Sequence, residues 1–481
     1  MSTPDKSYVL ALDQGSQSTR ACLFNLQGEL LYQSSKPIDT YRFDRHKVEQ
    51  IAPAIADTLN ICLRDVFYDS GVNPHDVVAV GLACQRSSVL AWDSASGTAL
   101  SPILSWQDTR TEAQVAALAE DYEWIYQRSG LVCSAHYGAS KIAWLLEQGK
   151  VNFPPNLCVS PVASYYIHHL LGSGYEPVVD HANALRSQLV NIDSLDWDSE
   201  LLNTFQVPRE VLPDLKPVRF NYGVLHGMSL PLTAVNGDQT AALFANGDIG
   251  PDTALVNLGT GGFVLTPSST RQQIPGLLCS VSDSDETSTS YVCEGTVNGV
   301  GSALSWAREH LSMDQEERIS LGTYEEGAKL LFMNTVSGLG SPWWKTGIEP
   351  YWCDLTGQRV NQPEPCAALA AVFESIAFLV FCNVALMQDS ACPIRQIHIS
   401  GGMSQMDPVC QLLADLSSLP VTRLAESEAT ARGIAFLAAG RPKDWQRDFG
   451  RSFQPQNRDG QAAISQRYQI FLNRLKTIIN K

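Results

Sequence analysis

None of the twelve cysteines forms a Cys-x-x-Cys pair, and none of the nine histidines forms a His-x-x-x-His pair. Cys22, Cys84, Cys293, Cys382 and Cys410 sit singly in apolar runs, which suggests reduced core thiols rather than disulfides or a zinc site. Three nucleotide and hydrolase signatures are also missing. There is no Gly-x4-Gly-Lys-Ser/Thr loop, no Gly-x-Gly-x-x-Gly after a strand and no Gly-x-Ser-x-Gly elbow. Basic charge is scarce: 34 Lys and Arg against 50 Asp and Glu give a net charge of -16. That disfavours a nucleic-acid binder, which needs a basic face. The opening residues MSTPDKSYVLALDQ lack a long apolar core before a small-residue cleavage site, so no signal peptide and a cytoplasmic location are expected. One long run, Ala367 to Met387, is nearly free of charge. Glu374 and Asn383 inside it, with no basic flank, make a buried helix the expectation, and no membrane partner.

With 44% hydrophobic and 17% charged residues, the composition is that of a packed protein, and 481 residues suggest two or three domains. The runs YVLALD, RACLFN and ELLYQSS, separated by QGSQST and LQG, predict a three-stranded meander. A helix is expected from about 51 to 68, then strands VVAVGLAC and SSVLAWD, which is an α/β pattern. TALVNLGTGGFVLTPS repeats the hairpin plan of YVLALDQGSQSTRACLF in the second half of the chain. A third glycine turn, IHISGGMSQMD, leads into an apolar helix over Pro408 to Leu416. The boundary between halves is placed near residues 245–252, with a polar extension after Gly440.

Turns of glycine and hydroxyl residues expose backbone N–H groups and act as anion cradles. Two such turns from two halves of one chain would clamp a polyphosphate from both sides. Phosphoryl transfer also needs a carboxylate near the attacking oxygen and a metal between phosphates. PLTAVNGDQTAALFANG supplies a candidate, with a strand ending at Asn236-Gly237 and Asp238 opening a helix. Placed as the N-cap, the Asp238 carboxylate is expected to be held ionised, able to take a proton from a hydroxyl.

From Tyr8 to about Leu437 the chain resembles the FGGY carbohydrate kinases. ALDQGSQSTRACLFN looks like their first phosphate motif, NGDQTAALF like the catalytic motif and NLGTGGFVL like the second phosphate motif. CQRSSVLAWDSASGTALSPILSWQDTRTEA resembles the sugar-contact region, nearest the glycerol kinases, and SKIAWLLEQ half of a family signature. CEGTVNGVGSALSW, SGLGSPWW and ISGGMSQMD follow in the family's order. The resemblance implies an α/β fold of two actin-like ATPase (ribonuclease-H-like) domains with an interdomain cleft. It assigns residues 1–247 to the first domain, 248–440 to the second and 441–481 to an extension. It implies an ATP-dependent kinase of a small sugar or polyol, with ATP and Mg²⁺ as cofactors and self-association left open. Asp238 falls at the catalytic base and Asp13 near the metal. Gly15, Ser16, Gln17, Ser18 and Arg20 fall at the first phosphate turn, and Gly259, Thr260 and Gly261 at the second. Gly301 and Gly402 correspond to adenosine-side positions. Gln85, Arg86, Trp106, His136 and Gln239 correspond to the acceptor side.

Two departures bear on the acceptor. Ser87 stands where glycerol kinases usually carry Glu after Gln-Arg, and His136 where they usually carry an aromatic ring. The Met-His of xylulokinases is missing at QRSS as well. Met406 stands where the family commonly has an Asn near adenine. A non-catalytic actin-like nucleotide-binding protein or a sugar-binding regulator is the alternative, one that binds ligands without transferring phosphate.

Overall fold

The computed structural model describes residues 7–149, 154–313, 329–390, 392–425, 428–456 and 458–480. Strands Tyr8–Gln14, Ser18–Asn25 and Leu30–Pro37 form the expected antiparallel meander. Val77–Cys84 adds parallel to Tyr8–Gln14, and Pro231–Gly237 adds parallel to Val77–Cys84. Arg219–Val224 closes that edge, giving six strands. The unbroken apolar runs have a physical reason: Val9 to Leu12 and Ala21 to Phe24 are wholly buried, because elements cover both faces of the sheet.

The second half repeats this plan. Thr253–Leu258 is flanked on one side by antiparallel Gly262–Ser268 and on the other by parallel Gln396–Ser400 and Val421–Leu424. The third place in the meander goes to Thr289–Val297, which pairs with Gly262–Ser268, while Leu278–Ser284 lies outside it. Phe449–Phe453 completes seven strands. Phe449–Phe453 and the helix that follows are therefore built into this second body, whereas Trp445, just after Gly440, packs into the first core. Helix Arg458–Ile479 sends Ile464, Tyr468, Phe471 and Leu475 into its core at helical spacing. A smaller sheet of five strands joins Tyr41–Arg42, Val48–Gln50, Ile103–Leu104, Val89–Asp93 and Leu157–Pro161.

Helix Pro365–Asp389 is long and apolar enough to cross a membrane, yet 78% of its most apolar stretch is buried in the fold. Its one buried acid, Glu374, is paired inside the protein with Arg467, whose Nε donates at 2.7 Å. All twelve cysteines are free thiols, and ten of them are buried. Helix Ala429–Ala438 lies between strands of the second sheet in sequence but packs on the first body. Gly433 makes that possible, since a β-carbon there would lie 1.8 Å from the Ala241 carbonyl oxygen.

Candidate active site

Strand register gathers residues that are far apart in sequence. Cys84 is paired with Gln14 on one side and with Gly237 on the other, so three parallel strands end level. Adjacent strands are about 5 Å apart, which places the outer two roughly 10 Å from each other. The chain leaving them carries Gly15–Ser18, Gln85–Ser88 and Asp238–Gln239, with Asp13 one residue inside. The carboxyl edge of parallel strands is where α/β folds commonly bind ligands.

The first turn closes through the Gly15 N–H, which donates to the Ser18 carbonyl at 3.0 Å. Gln17 is exposed at its tip and Gly15, Ser16 and Ser18 are half-buried. Arg20 reaches from the returning strand to Asp13 at 3.4 Å and to Glu428 at 2.9 Å. Burial drives the Asp13 carboxyl up to about 7; Arg20 opposes this, while Asp238 and Glu428 add to it. Two carboxylates that raise its pKa and a single arginine leave this corner short of positive charge.

The second body presents a matching edge. Asn257 and Ser400 are paired in parallel, so the turn 259–261 and the Gly401-Gly402 turn leave side by side. The Gly259 N–H donates to the Gly261 carbonyl at 2.9 Å. Helix Gly301–His310 begins against this turn, its first two N–H groups bonding the Gly259 and Thr260 carbonyls at 3.1 and 3.2 Å. A β-carbon at Gly301 would come within 2.9 Å of the Gly259 oxygen. Gly401 takes a left-handed φ of 89° and sits tightly on Leu258, whereas Gly402 is exposed with open space around it. Gly259, Thr260, Gly261, Gly301 and Gly402 thus form one cluster. Met406 packs partly against the second core.

On the other side of the first edge, Asp238 departs from the expectation in two ways. It is the first residue of a short helix, Asp238–Ala241, and Gly237 is the cap. Its carboxyl pKa is raised, because burial outweighs Arg86, the Gln239 N–H (2.7 Å to Oδ1) and Arg186. The side chain remains 25% accessible, so a ligand can reach it. Arg86 Nε stands 3.9 Å from Asp238, while Arg86 Nη1 donates to both Glu294 oxygens at 3.2 and 3.4 Å. Arg186 bonds the same carboxylate at 3.3 and 3.4 Å. Burial alone would raise the Glu294 carboxyl, but the two arginines and Ser280 hold it down at about 2.

Gln85 is buried and turned inward, donating to Gln50 at 2.8 Å and Gln14 at 3.3 Å and accepting from Ser88 at 3.1 Å. Gln239 is half-buried beside Asp238. The Trp106 and His136 rings meet edge to face at 5.6 Å. Burial first, then Lys141, Arg186 and Arg86, pushes the His136 pKa well below its usual value, so the ring is neutral. Ser87 is buried in a left-handed conformation (φ 62°), and its Oγ has no partner among the described residues. Arg186, Glu294 and Glu428 escaped the sequence reading. Each lies outside the recognised turns or at a position whose partner is distant, and only CEGT carried a hint of Glu294.

The described residues hold no group of three or more His, Cys, Asp or Glu able to cage a metal. A Mg²⁺ ion would need no such cage, since it keeps several waters and uses one or two carboxylates plus substrate phosphates. Asp13, with a pKa raised by burial and flanking acids, is an oxygen donor that a hard cation would favour.

Comparison with known proteins identifies the family. The model for the N-terminal domain of the FGGY family of carbohydrate kinases matches residues 8–245, and that for the C-terminal domain matches 254–440. A glycerol kinase from Trichodesmium erythraeum is 35% identical over 461 residues, covering 91% of this chain and 90% of that protein. The structure of Plasmodium falciparum glycerol kinase with ADP superposes with a TM-score of 0.85 at 21% identity, covering 97% of this chain and 98% of that one. Xylulose kinase from Rhodospirillum rubrum gives a TM-score of 0.85 at 20% identity, covering 98% and 100%. These likenesses give the two-domain, actin-like architecture. The chain belongs to the FGGY family of carbohydrate kinases, phosphotransferases with an alcohol group as acceptor.

Proposed function

We propose that the protein transfers the γ-phosphate of ATP to a primary hydroxyl of a small polyol or sugar, with Asp238 as general base. The observation that carries this is the shared strand edge, which puts Asp238 close enough to Asp13 to raise the Asp13 pKa. A base works best with a pKa near the working pH, so the upward shift at Asp238 favours its role. The turns Gly15–Ser18 and Gly259–Gly261 would hold phosphate oxygens through N–H groups, Gly301 and Gly402 would lie towards the adenosine, and Arg20 would balance charge. Arg86, Trp106, His136 and Gln239 would orient the acceptor, with Gln85 bracing the edge from within. Mg²⁺ bound with the triphosphate supplies charge neutralisation across the transferred group, and Asp13 is the residue that would hold it. In this reading residues 1–247 serve the acceptor and first phosphate turn, and 248–440 the second turn and nucleoside. Within 441–481, Phe449–Phe453 and helix Arg458–Ile479 extend the second body.

Relatives named as glycerol kinases favour a glycerol-like acceptor, while Ser87 stands where such enzymes usually carry a carboxylate and His136 where they usually carry an aromatic residue other than histidine. A coupled ATP-consumption screen over glycerol, tetroses, pentuloses, hexuloses and polyols is the test. One class should raise the rate at least about tenfold above the acceptor-free rate, because closure excludes water. ATP turnover that no acceptor stimulates would overturn the reading.

Asp13 gives a second check that does not need turnover. Its folded pKa, about 7, lies above the ordinary 3.8, so the folded state holds this proton more tightly. The associated stability is present below the unfolded pKa and is lost as pH rises through about 7. Asp13→Asn should therefore melt higher than the natural protein at pH 8, by a margin that narrows steadily as pH falls towards about 4, while losing turnover. A variant that melts lower at pH 8 contradicts this.

A further inference from the structure

The motif SKIAW contains one residue with no role so far. Lys141, on helix Gly138–Gly149, is fully buried at 0% exposure. Its Nζ donates to the carbonyls of His136 at 2.8 Å, Ser87 at 2.9 Å and Ser105 at 3.0 Å. An ammonium has three donors, so these carbonyls use all of them. The partners are neutral carbonyls. Burial, the largest influence, brings the lysine pKa down to about 7, with Asp108 raising it and Arg110 lowering it.

A buried cation held by carbonyls is costly where an apolar side chain would fill the space. The three carbonyls show what it accomplishes. Ser87 directly follows Arg86, Ser105 directly precedes Trp106, and His136 is itself an acceptor-side residue. These segments come from a strand end, a loop and the approach to a helix, and Lys141 is their common tie. It also anchors the carbonyl of Ser87, whose left-handed φ is uncommon for a residue other than glycine.

We propose that Lys141 is a positioning residue that sets the mutual geometry of Arg86, Trp106 and His136 through these three carbonyls, and so fixes the acceptor pocket. This rests on the acceptor-side reading above. Lys141 bonds none of the phosphate turns, so its effect is confined to the acceptor.

The test is steady-state kinetics of the full-length Lys141→Met variant, with glycerol and D-xylulose as the first probes and then any acceptor found in the screen. The acceptor KM should rise about tenfold or more, with the ATP KM and the melting shift produced by ATP within about twofold of the natural protein. Lys141→Gln, which keeps two donors, should recover part of the acceptor affinity and serves alone if the Met variant does not fold. An unchanged acceptor KM overturns the proposal. So do ATP and acceptor KM rising together with a lower melting point, or failure of both variants to fold, since these describe a residue of the fold at large. If the natural protein phosphorylates no acceptor, the kinase reading itself fails; if it does and the variants match it, only the role of Lys141 fails.

Discussion

Asp238→Asn should lower turnover by about 10²–10⁴-fold, the usual contribution of a general base, while leaving ATP affinity within about twofold. The amide is nearly isosteric and keeps an oxygen for the Gln239 N–H, so the turn it opens should stay in place. Arg86 also stays anchored, because its two bonds to Glu294 do not involve Asp238. What is lost is the ability to take the hydroxyl proton. Calorimetric ATP binding beside acceptor-dependent turnover separates these effects, and activity within tenfold of the natural protein would remove Asp238 from the role. The acid limb of kcat/KM should lie above the ordinary aspartate value of 3.8, since falling pH protonates a base whose pKa is raised.

Glu294→Ala should be the most destabilising change near the site. The carboxylate is 1% exposed and joins two buried arginines, Arg86 and Arg186, that approach from different segments. Removing it leaves the two guanidinium groups with only Asp238, 3.9 Å from Arg86, as counter-charge, and breaking a buried pair in this way costs about 3–5 kcal/mol. Arg86 would also lose the contact that sets it beside Asp238, so any folded fraction should bind acceptor poorly. Glu294→Gln keeps one acceptor oxygen in place and should be milder than alanine. Thermal melts of the two variants check this, and an alanine variant as stable as the natural protein would show that the arginines have other partners.

Much of this site was readable because its turns are local. A strand of Val, Leu and Ala ending in Asp-Gln-Gly-Ser, and another ending in Asn-Gly-Asp, announce themselves within a few residues. Their relative placement follows from the parallel order of the fold. The buried helix at 365–389 was equally legible, since one Glu in such a run needs an internal partner. That the partner is Arg467, 93 residues away, was not. Arg186 and Glu294 were hidden for the same reason: an ion pair across 108 residues leaves no spacing pattern. The direction of the Asp238 shift is not legible locally, because helix position is local, whereas burial, the larger effect, is a property of the packed fold. The helix after Gly440 did carry a signal in the spacing of Ile464, Tyr468, Phe471 and Leu475, masked by the polar residues between them.

The central claim is that two turns, one from each body, hold one triphosphate facing Asp238. A crystal structure with a non-hydrolysable ATP analogue, Mg²⁺ and the preferred polyol tests it most directly. The γ-phosphate should lie between Gly15–Ser18 and Gly259–Gly261, with an acceptor hydroxyl within about 3 Å of the Asp238 carboxylate. A triphosphate bound away from either turn, or an acceptor whose hydroxyls all lie beyond reach of Asp238, would contradict it.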